Sequence, residues 1–285
     1  MGRRVRPASW ALIAIVVGLG GSATALADAL SPNAAPGLHI WLDAADGASI
    51  FVDEAGTQVA EEGQSVAVWK DKSGQGNHST QAFEEFQPVR GEDRGRHAVL
   101  FQRSAMHLDA LGEVVNGEGF TLFLALRPEL RKQKIFGIAG GGKANTEGPN
   151  VARYLQTHRD GGKGPRRHAE KADEQQFMLQ YTHDKWEKLY STHTVTGDWV
   201  IWELVAGDGE VSLMADAVPA GTTTADARFQ PYAAAVLGAD FNKKAEGREF
   251  FSGAFGELLG FKGTLDEETR AGLRAYLVEK WQPGE

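Results

Sequence analysis

The chain has 285 residues, no cysteine, and 38 acidic against 30 basic residues, for a net charge of −8. The lack of cysteine excludes disulfides, so stability must come from a hydrophobic core. The acidic balance argues against nucleic acid or an anionic membrane surface as the main partner.

The first segment reads as a targeting signal. Arg3, Arg4 and Arg6 form a basic start, Trp10 to Leu19 is apolar and uncharged, and Ala25-Leu26-Ala27 fits a cleavage site. A membrane anchor needs roughly 18 or more strongly apolar residues, whereas this run decays into Gly20-Gly21-Ser22. The expectation is a signal peptide over 1–27 and a mature chain from Asp28, without an integral membrane segment after cleavage. That places the protein in a secreted, periplasmic or extracellular setting. The removed segment carries three arginines and no acid, so the remainder is more acidic still. Residues 28–36 form a short linker, and 37–285 read as one domain.

Gly37 to Ala44 alternates as a strand, with Leu38, Ile40 and Leu42 on one face and Trp41 on the other. Ser49 to Val52, Ser65 to Trp69 and Ala98 to Gln102 are further strand candidates. Phe120 to Leu126 is apolar on both faces, which predicts a strand buried on both sides. Lys134 to Ala139, Gln176 to Tyr181, Trp199 to Ala206, Glu210 to Ala215, Ala234 to Ala239 and Glu249 to Phe261 follow, with Gly207-Asp208-Gly209 as a hairpin turn. Many short strands with glycine turns predict an all-β, antiparallel β-sandwich. Trp41, Trp69 and Trp281 read as core residues.

The chain ends in a helix. Thr264 with Glu267 has capping-box spacing, and Asp266, Glu267 and Glu268 place negative charge in the first turn. Leu273, Tyr276, Leu277 and Trp281 form one apolar stripe, and Pro283-Gly284 ends the helix. This amphipathic helix is expected to dock on the sandwich, against the strand Ala254 to Phe261.

Gly140 to Glu174 reads as a long polar loop, and a loop of that length is usually functional or disordered. Its basic residues, Arg166 and Arg167 among them, either form a patch for sulfated or uronic-acid glycans or stay solvated. Trp186 lies outside any clean pattern. With His183 and Tyr190 it either lines a sugar-sized surface or anchors its own loop.

The most informative stretch is Trp69-Lys70-Asp71-Lys72-Ser73-Gly74-Gln75-Gly76-Asn77-His78, a strand end followed by a tight turn. Asp71, Ser73 and Asn77 either bond their own backbone or offer oxygens to a hard cation such as calcium. Asp43 and Asp46 pose the same choice. This turn, the opening Trp41-Leu42-Asp43-Ala44 and the closing Gly253-Ala254-Phe255-Gly256-Glu257-Leu258 with the helix to Trp281 together resemble the laminin-G-like jelly rolls of the concanavalin A-like lectin/glucanase superfamily. The resemblance spans Gly37 to Trp281. It implies a jelly roll of two antiparallel sheets, a frequent calcium ion, and sugar or protein binding.

Glycosidases also occur in that superfamily. A retaining glycosidase needs two carboxyls about 5 Å apart, and the Glu-x-Asp-x-Glu pattern of jelly-roll glucanases does not occur in this chain. After Glu257 comes Leu258-Leu259-Gly260. Nucleophile-elbow, zinc-protease and phosphate-loop motifs are also missing. The sequence therefore points to a non-catalytic, lectin-like carbohydrate-binding domain, calcium-assisted if the turn holds a cation. A structural or protein-interaction module with a cell-envelope protein partner is the alternative, and an atypical glycan-active enzyme using Glu257 the third reading.

Overall fold

Two antiparallel sheets and a C-terminal helix form three layers, a β-sandwich with one outer helix. The computed structural model describes residues 28–115, 117–129, 133–140, 150–159, 175–182, 186–224, 232–241, 247–248 and 250–282. Residues 1–27, where a signal peptide is expected, lie outside the described residues. The first sheet runs Val218–Thr224, Glu210–Ala215, Val200–Gly207, Phe120–Pro128, Ser252–Lys262, Arg96–Gln102 and Val89–Asp93, and Leu38–Asp43 also pairs with Ser252–Lys262. The second runs Trp186–Thr194, Gln175–Thr182, Asn150–Arg159, Phe136–Gly140, Tyr232–Leu237, Met106–His107, Ser79–Thr80, Val68–Trp69 and Ile50–Phe51.

Register explains why the Phe120–Pro128 strand is apolar on both faces. Glu203, Phe123, Leu259 and Trp41 lie opposite one another in one row across four strands. Cross-strand partners share a face, and Glu203 in this row bonds Arg270 and Arg274 of the helix. A second row, Trp202, Leu124, Leu258 and Leu42, faces the other way. The Trp202 ring meets His193 of the second sheet edge-on, with centroids 5.4 Å apart. The strand is thus covered by the second sheet on one side and by the helix on the other. Trp41, Trp69 and Trp281 are all buried, as expected of core residues.

Along one side the sandwich is closed. There the edge strand Val218–Thr224 of the first sheet lies against Trp186–Thr194 of the second, and the Thr192 hydroxyl donates to the Ala220 carbonyl at 3.3 Å. A Cβ on Gly221 would come within 3.1 Å of Leu189 and 3.2 Å of the Tyr190 carbonyl. The opposite side is spanned by loops. Ser65 bridges to Val89, and the Arg90 N–H donates to Gln64 O at 2.9 Å.

The structure corrects three expectations. The segment 140–174 is not one loop, because Asn150–Arg159 is a strand that pairs with Gln175–Thr182 through seven positions. Trp186 and Tyr190 also lie in a strand, Trp186–Thr194. The helix starts later than its capping box implies and spans Glu267–Trp281, with Asp266 as N-cap accepting from Thr269 N at 2.8 Å. Thr264 is committed elsewhere: its hydroxyl donates to Ala206 O at 3.1 Å, and the next residue, Leu265, is buried.

Gly256 marks where the helix meets the sheet. A Cβ there would lie 2.6–2.8 Å from three carbons of the Trp281 ring, and overpacking of this kind costs about 1–3 kcal/mol. Gly256→Ala is expected to lower the unfolding free energy by that amount in urea titration, and an unchanged midpoint would mean the contact is slack. Burial pushes the His193 pKa below its ordinary value, while the Asp216 charge opposes the shift. The unfolded chain then takes up this proton first, so stability is full above about pH 6.5 and falls as pH drops below that toward the lower folded value. Urea midpoints between pH 8 and 5 are expected to show this slope, and His193→Gln to flatten it.

Candidate functional site

The Trp69–His78 turn is laced onto the first strand. Asp71 is buried, and its carboxylate accepts four hydrogen bonds: from Trp41 N at 2.8 Å, Ser73 N at 2.9 Å, the Ser73 hydroxyl at 2.6 Å and Asn77 N at 3.0 Å. Lys72 N donates to Trp41 O, the Asn77 amide donates to His39 O, and the Ser73 hydroxyl oxygen lies 3.1 Å from the same carbonyl. The predicted cation set therefore does come together, but it converges through donated protons. Gly74 and Gly76 take φ of 83° and 76° to close the turn. Among the described residues no three His, Cys, Asp or Glu side chains are grouped as a metal site.

A dense charge cluster lies where the first strand, the last strand and the helix meet. Glu257 is 0% exposed. One carboxylate oxygen accepts from the Trp41 indole at 2.7 Å and the Tyr276 hydroxyl at 2.9 Å. The other accepts from Lys280 Nζ at 2.7 Å and the Trp281 indole at 2.8 Å. Lys280 also reaches Asp43 at 2.6 Å, and Lys72 joins Asp43 at 2.8 Å to Asp46 at 2.9 Å. Burial pushes the Glu257 pKa up, helped by the Asp43 charge and opposed by Lys280 and Trp281. Burial acts against the Lys72 ammonium, but Asp43 and Asp46 outweigh it and raise its pKa. The Tyr276 hydroxyl is likewise driven up, by burial and by Glu257.

This centre fastens the helix. All four acceptor positions of Glu257 are filled by protein donors, so it has neither solvent nor a free lone pair for general acid or base work. Glu203 does the same one layer along: it is 1% exposed and paired with Arg270 at 2.6 Å and with Arg274. Sequence reasoning raised Glu257 as a possible catalytic carboxylate. It missed the partners Tyr276 and Lys280, whose i, i+4 spacing on a helix ending in Trp281 was the available signal.

Two of the remaining predicted site residues, Tyr190 and Trp186, lie on a strand of the second sheet. Tyr190 is half-buried and packs with Ala105, Val236 and Ala239. Trp186 opens its strand opposite Thr182. His183, Arg166 and Arg167 lie outside the described residues.

An open groove of about 650 Å³ sits on the loop-spanned side of the sandwich. Val52 and Ala67 contribute apolar surface, and Asp53, Glu54, Gln64, Ser65, Glu84 and Gln87 contribute polar groups. Phe83 stands between the lining residues Ala82 and Glu84 and is 62% exposed. The walls are braced from within. Asp53 accepts from Thr57 and Gln58, Gln64 accepts from Glu61 N at 2.7 Å, and Gln87 donates to Gln81 O at 2.9 Å. Phe86 stacks on Phe250 with centroids 6.1 Å apart. The only sequence sign of this site was an aromatic beside Glu84-Glu85 in a loop.

Removing one partner from a buried charge network costs about 3–5 kcal/mol. Glu257→Gln places amide protons against the Lys280 and Trp281 donors, and its unfolding free energy in urea is expected to drop by that amount. A drop within about 1 kcal/mol, the range of an exposed pair, would remove Glu257 as the anchor.

No family model matches the chain, and no curated protein sequence matches it. Among solved structures it is similar to domain 4 of AbnA, a GH43 extracellular arabinanase from Geobacillus stearothermophilus, in complex with arabinotriose. The TM-score is 0.52 at 15% identity, over 84% of this chain and 98% of that one. It is also similar to the binding domain of Paraclostridial Mosquitocidal Protein 1, with TM-score 0.50 and 9% identity over 86% of this chain and 52% of that one. A Trypanosoma rangeli sialidase in complex with 2,3-difluoro-KDN gives TM-score 0.50 and 13% identity, over 89% of this chain and 36% of that one. At these identities the likeness is one of fold, a β-sandwich shared with domains from carbohydrate-active and binding proteins.

Proposed function

We propose that this chain is an exported, non-catalytic carbohydrate-binding domain that holds its ligand in the groove between the Val52–Glu54, Gly63–Ala67 and Ala82–Gln87 loops. The observation that carries this reading is the groove itself: an open, braced, mostly polar concavity, with the exposed Phe83 in the loop that supplies its Ala82 and Glu84. Sugars need hydroxyl partners and a flat apolar face. The consumption of Glu257 and Glu203 in holding the helix supports binding without turnover. The laminin-G-like resemblance and the shared fold are compatible with this role but do not select the ligand. The four protons donated to Asp71 favour a turn that closes without calcium, and export after Ala27 completes the proposal.

A glycan array on the chain from Asp28, run with calcium and with chelator, tests this. Binding under both conditions is expected, without release of reducing ends, and Phe83→Ala is expected to weaken it about tenfold, as loss of one stacking ring does. Binding abolished by chelator would return Asp71, Ser73 and Asn77 to the role of calcium ligands. Loss in Trp186→Ala and Tyr190→Ala but not Phe83→Ala would move the site to that strand. A blank array would reject the carbohydrate reading and direct a pull-down toward an envelope protein.

A further inference from the structure

Trp281 closes the helix, and its ring stacks on Trp199 with centroids 5.2 Å apart. The Arg96 guanidinium lies over Trp199 in turn, 6.0 Å from the ring centre, at cation–π range. Arg96 sits opposite Asp93 across a tight hairpin turn, where Arg94 and Gly95 take φ of 51° and 78°. Two further arginines converge there, and each has a carboxylate. Arg127 bonds Asp93 at 2.6 Å, and Arg94 bonds Asp198, the neighbour of Trp199, at 2.5 Å. The Arg94 hydrogen bond, with Thr196 and the Arg127 charge adding to it, holds the Asp198 pKa below its ordinary value. Arg96 is placed differently. Its Nη1 reaches the Arg94 carbonyl at 3.4 Å, and it pairs with no carboxylate among the described residues. Its Nε and the Trp199 Nε1 are both buried, and neither has an acceptor. Trp199 as a whole is 2% exposed. Buried donors without acceptors are rare in folded proteins. Two of them in one stacked pair, beside an unmatched positive charge, mark a place short of a negatively charged acceptor.

We propose that Arg96 is an anion-binding site that takes a carboxylate, borne by a small free acid or by a glycan chain of uronic acids. A guanidinium presents parallel N–H donors in one plane, matching the two oxygens of a carboxylate. Stacking on Trp199 and the tight turn fix that plane before binding, so little ordering opposes it. Arg96 is half-buried. The ligand meets its Nη end first, and a small tilt of the stacked pair turns the buried donors toward the same anion. Arg94 and Arg127 add positive field while their own aspartates stay engaged. A neutral ligand leaves the Arg96 charge unmatched, and a cation meets three guanidinium groups. This corner shares no residue with the loop groove, so it stands whether or not the groove holds a sugar.

Heteronuclear NMR of the chain from Asp28 tests this through the Nε–H resonances of Arg96 and Trp199, assigned with Arg96→Lys and Trp199→Phe. The probes are galacturonate, tetragalacturonate and galactose at constant ionic strength. Both acids are expected to shift the two resonances to saturation, and galactose to shift neither. A tetramer bound about tenfold more tightly than the monomer identifies a glycan as the source of the carboxylate, and equal affinity identifies a small free acid. Arg96→Gln is expected to weaken the acids about tenfold, as loss of a charge-assisted hydrogen bond does. Arg103→Gln, which removes the same charge from an exposed position elsewhere, is expected to leave them unchanged. Equal weakening in both variants would trace binding to net charge and overturn the site. Equal shifts with galactose and galacturonate would overturn the selection of a carboxylate. No shift with either acid overturns the site outright and leaves the groove's role untouched. That last result is read on the unaltered chain, so a misfolded Arg96→Gln cannot mask it.

Discussion

A carboxylate with no access to water is the constraint around which this molecule is organised. Glu257 sits in the middle of the longest strand, between the sheet and the helix, where an unpaired charge would be costly. Its compensation comes from four donors on two other elements: Trp41 in the first strand, and Tyr276, Lys280 and Trp281 in the final turns of the helix. None of these groups can move without stranding a buried charge. The helix position, the Trp41 rotamer and the Asp43–Lys72 pair follow from satisfying it.

The turn from Asp71 to Asn77 solves a different problem. The strand Leu38–Asp43 pairs on one edge with Ser252–Lys262, and its other edge would present bare peptide groups. The turn covers that edge with side-chain and backbone donors and acceptors directed at His39 and Trp41. It substitutes for a neighbouring strand, which limits unwanted pairing with other chains. The stretch that carries the candidate cation ligands also fastens a sheet edge. Both charge-rich regions near the ends of the chain serve the fold, while the groove's carboxylates stay open to solvent.

Much of the fold was legible because strands leave a period in the sequence. The double-sided apolar run Phe120 to Leu126 pointed to a strand covered on both faces, and its covers proved to be the second sheet and the helix, whose stripe at Leu273, Leu277 and Trp281 was also visible. What stayed hidden depends on long-range contact. Asn150–Arg159 carries too many charged and polar residues to show alternation, and its pairing with Gln175–Thr182 identifies it as a strand. Thr264 looked like a cap because capping-box spacing is local, yet a partner 58 residues away claims its hydroxyl. The groove was invisible for the same reason: its three walls come from loops whose residues show no shared period.

The Glu257 centre also has a temporal consequence. Trp41 meets its acceptor 216 positions along the chain, and Asp43 meets Lys280 237 positions along. The first strand has no sheet partner until the last strand has been made, and the anchor lacks three of its four donors until the final helix emerges. Contacts so distant in sequence form late and slowly. A chain built this way cannot close its anchor until its last helix has been made.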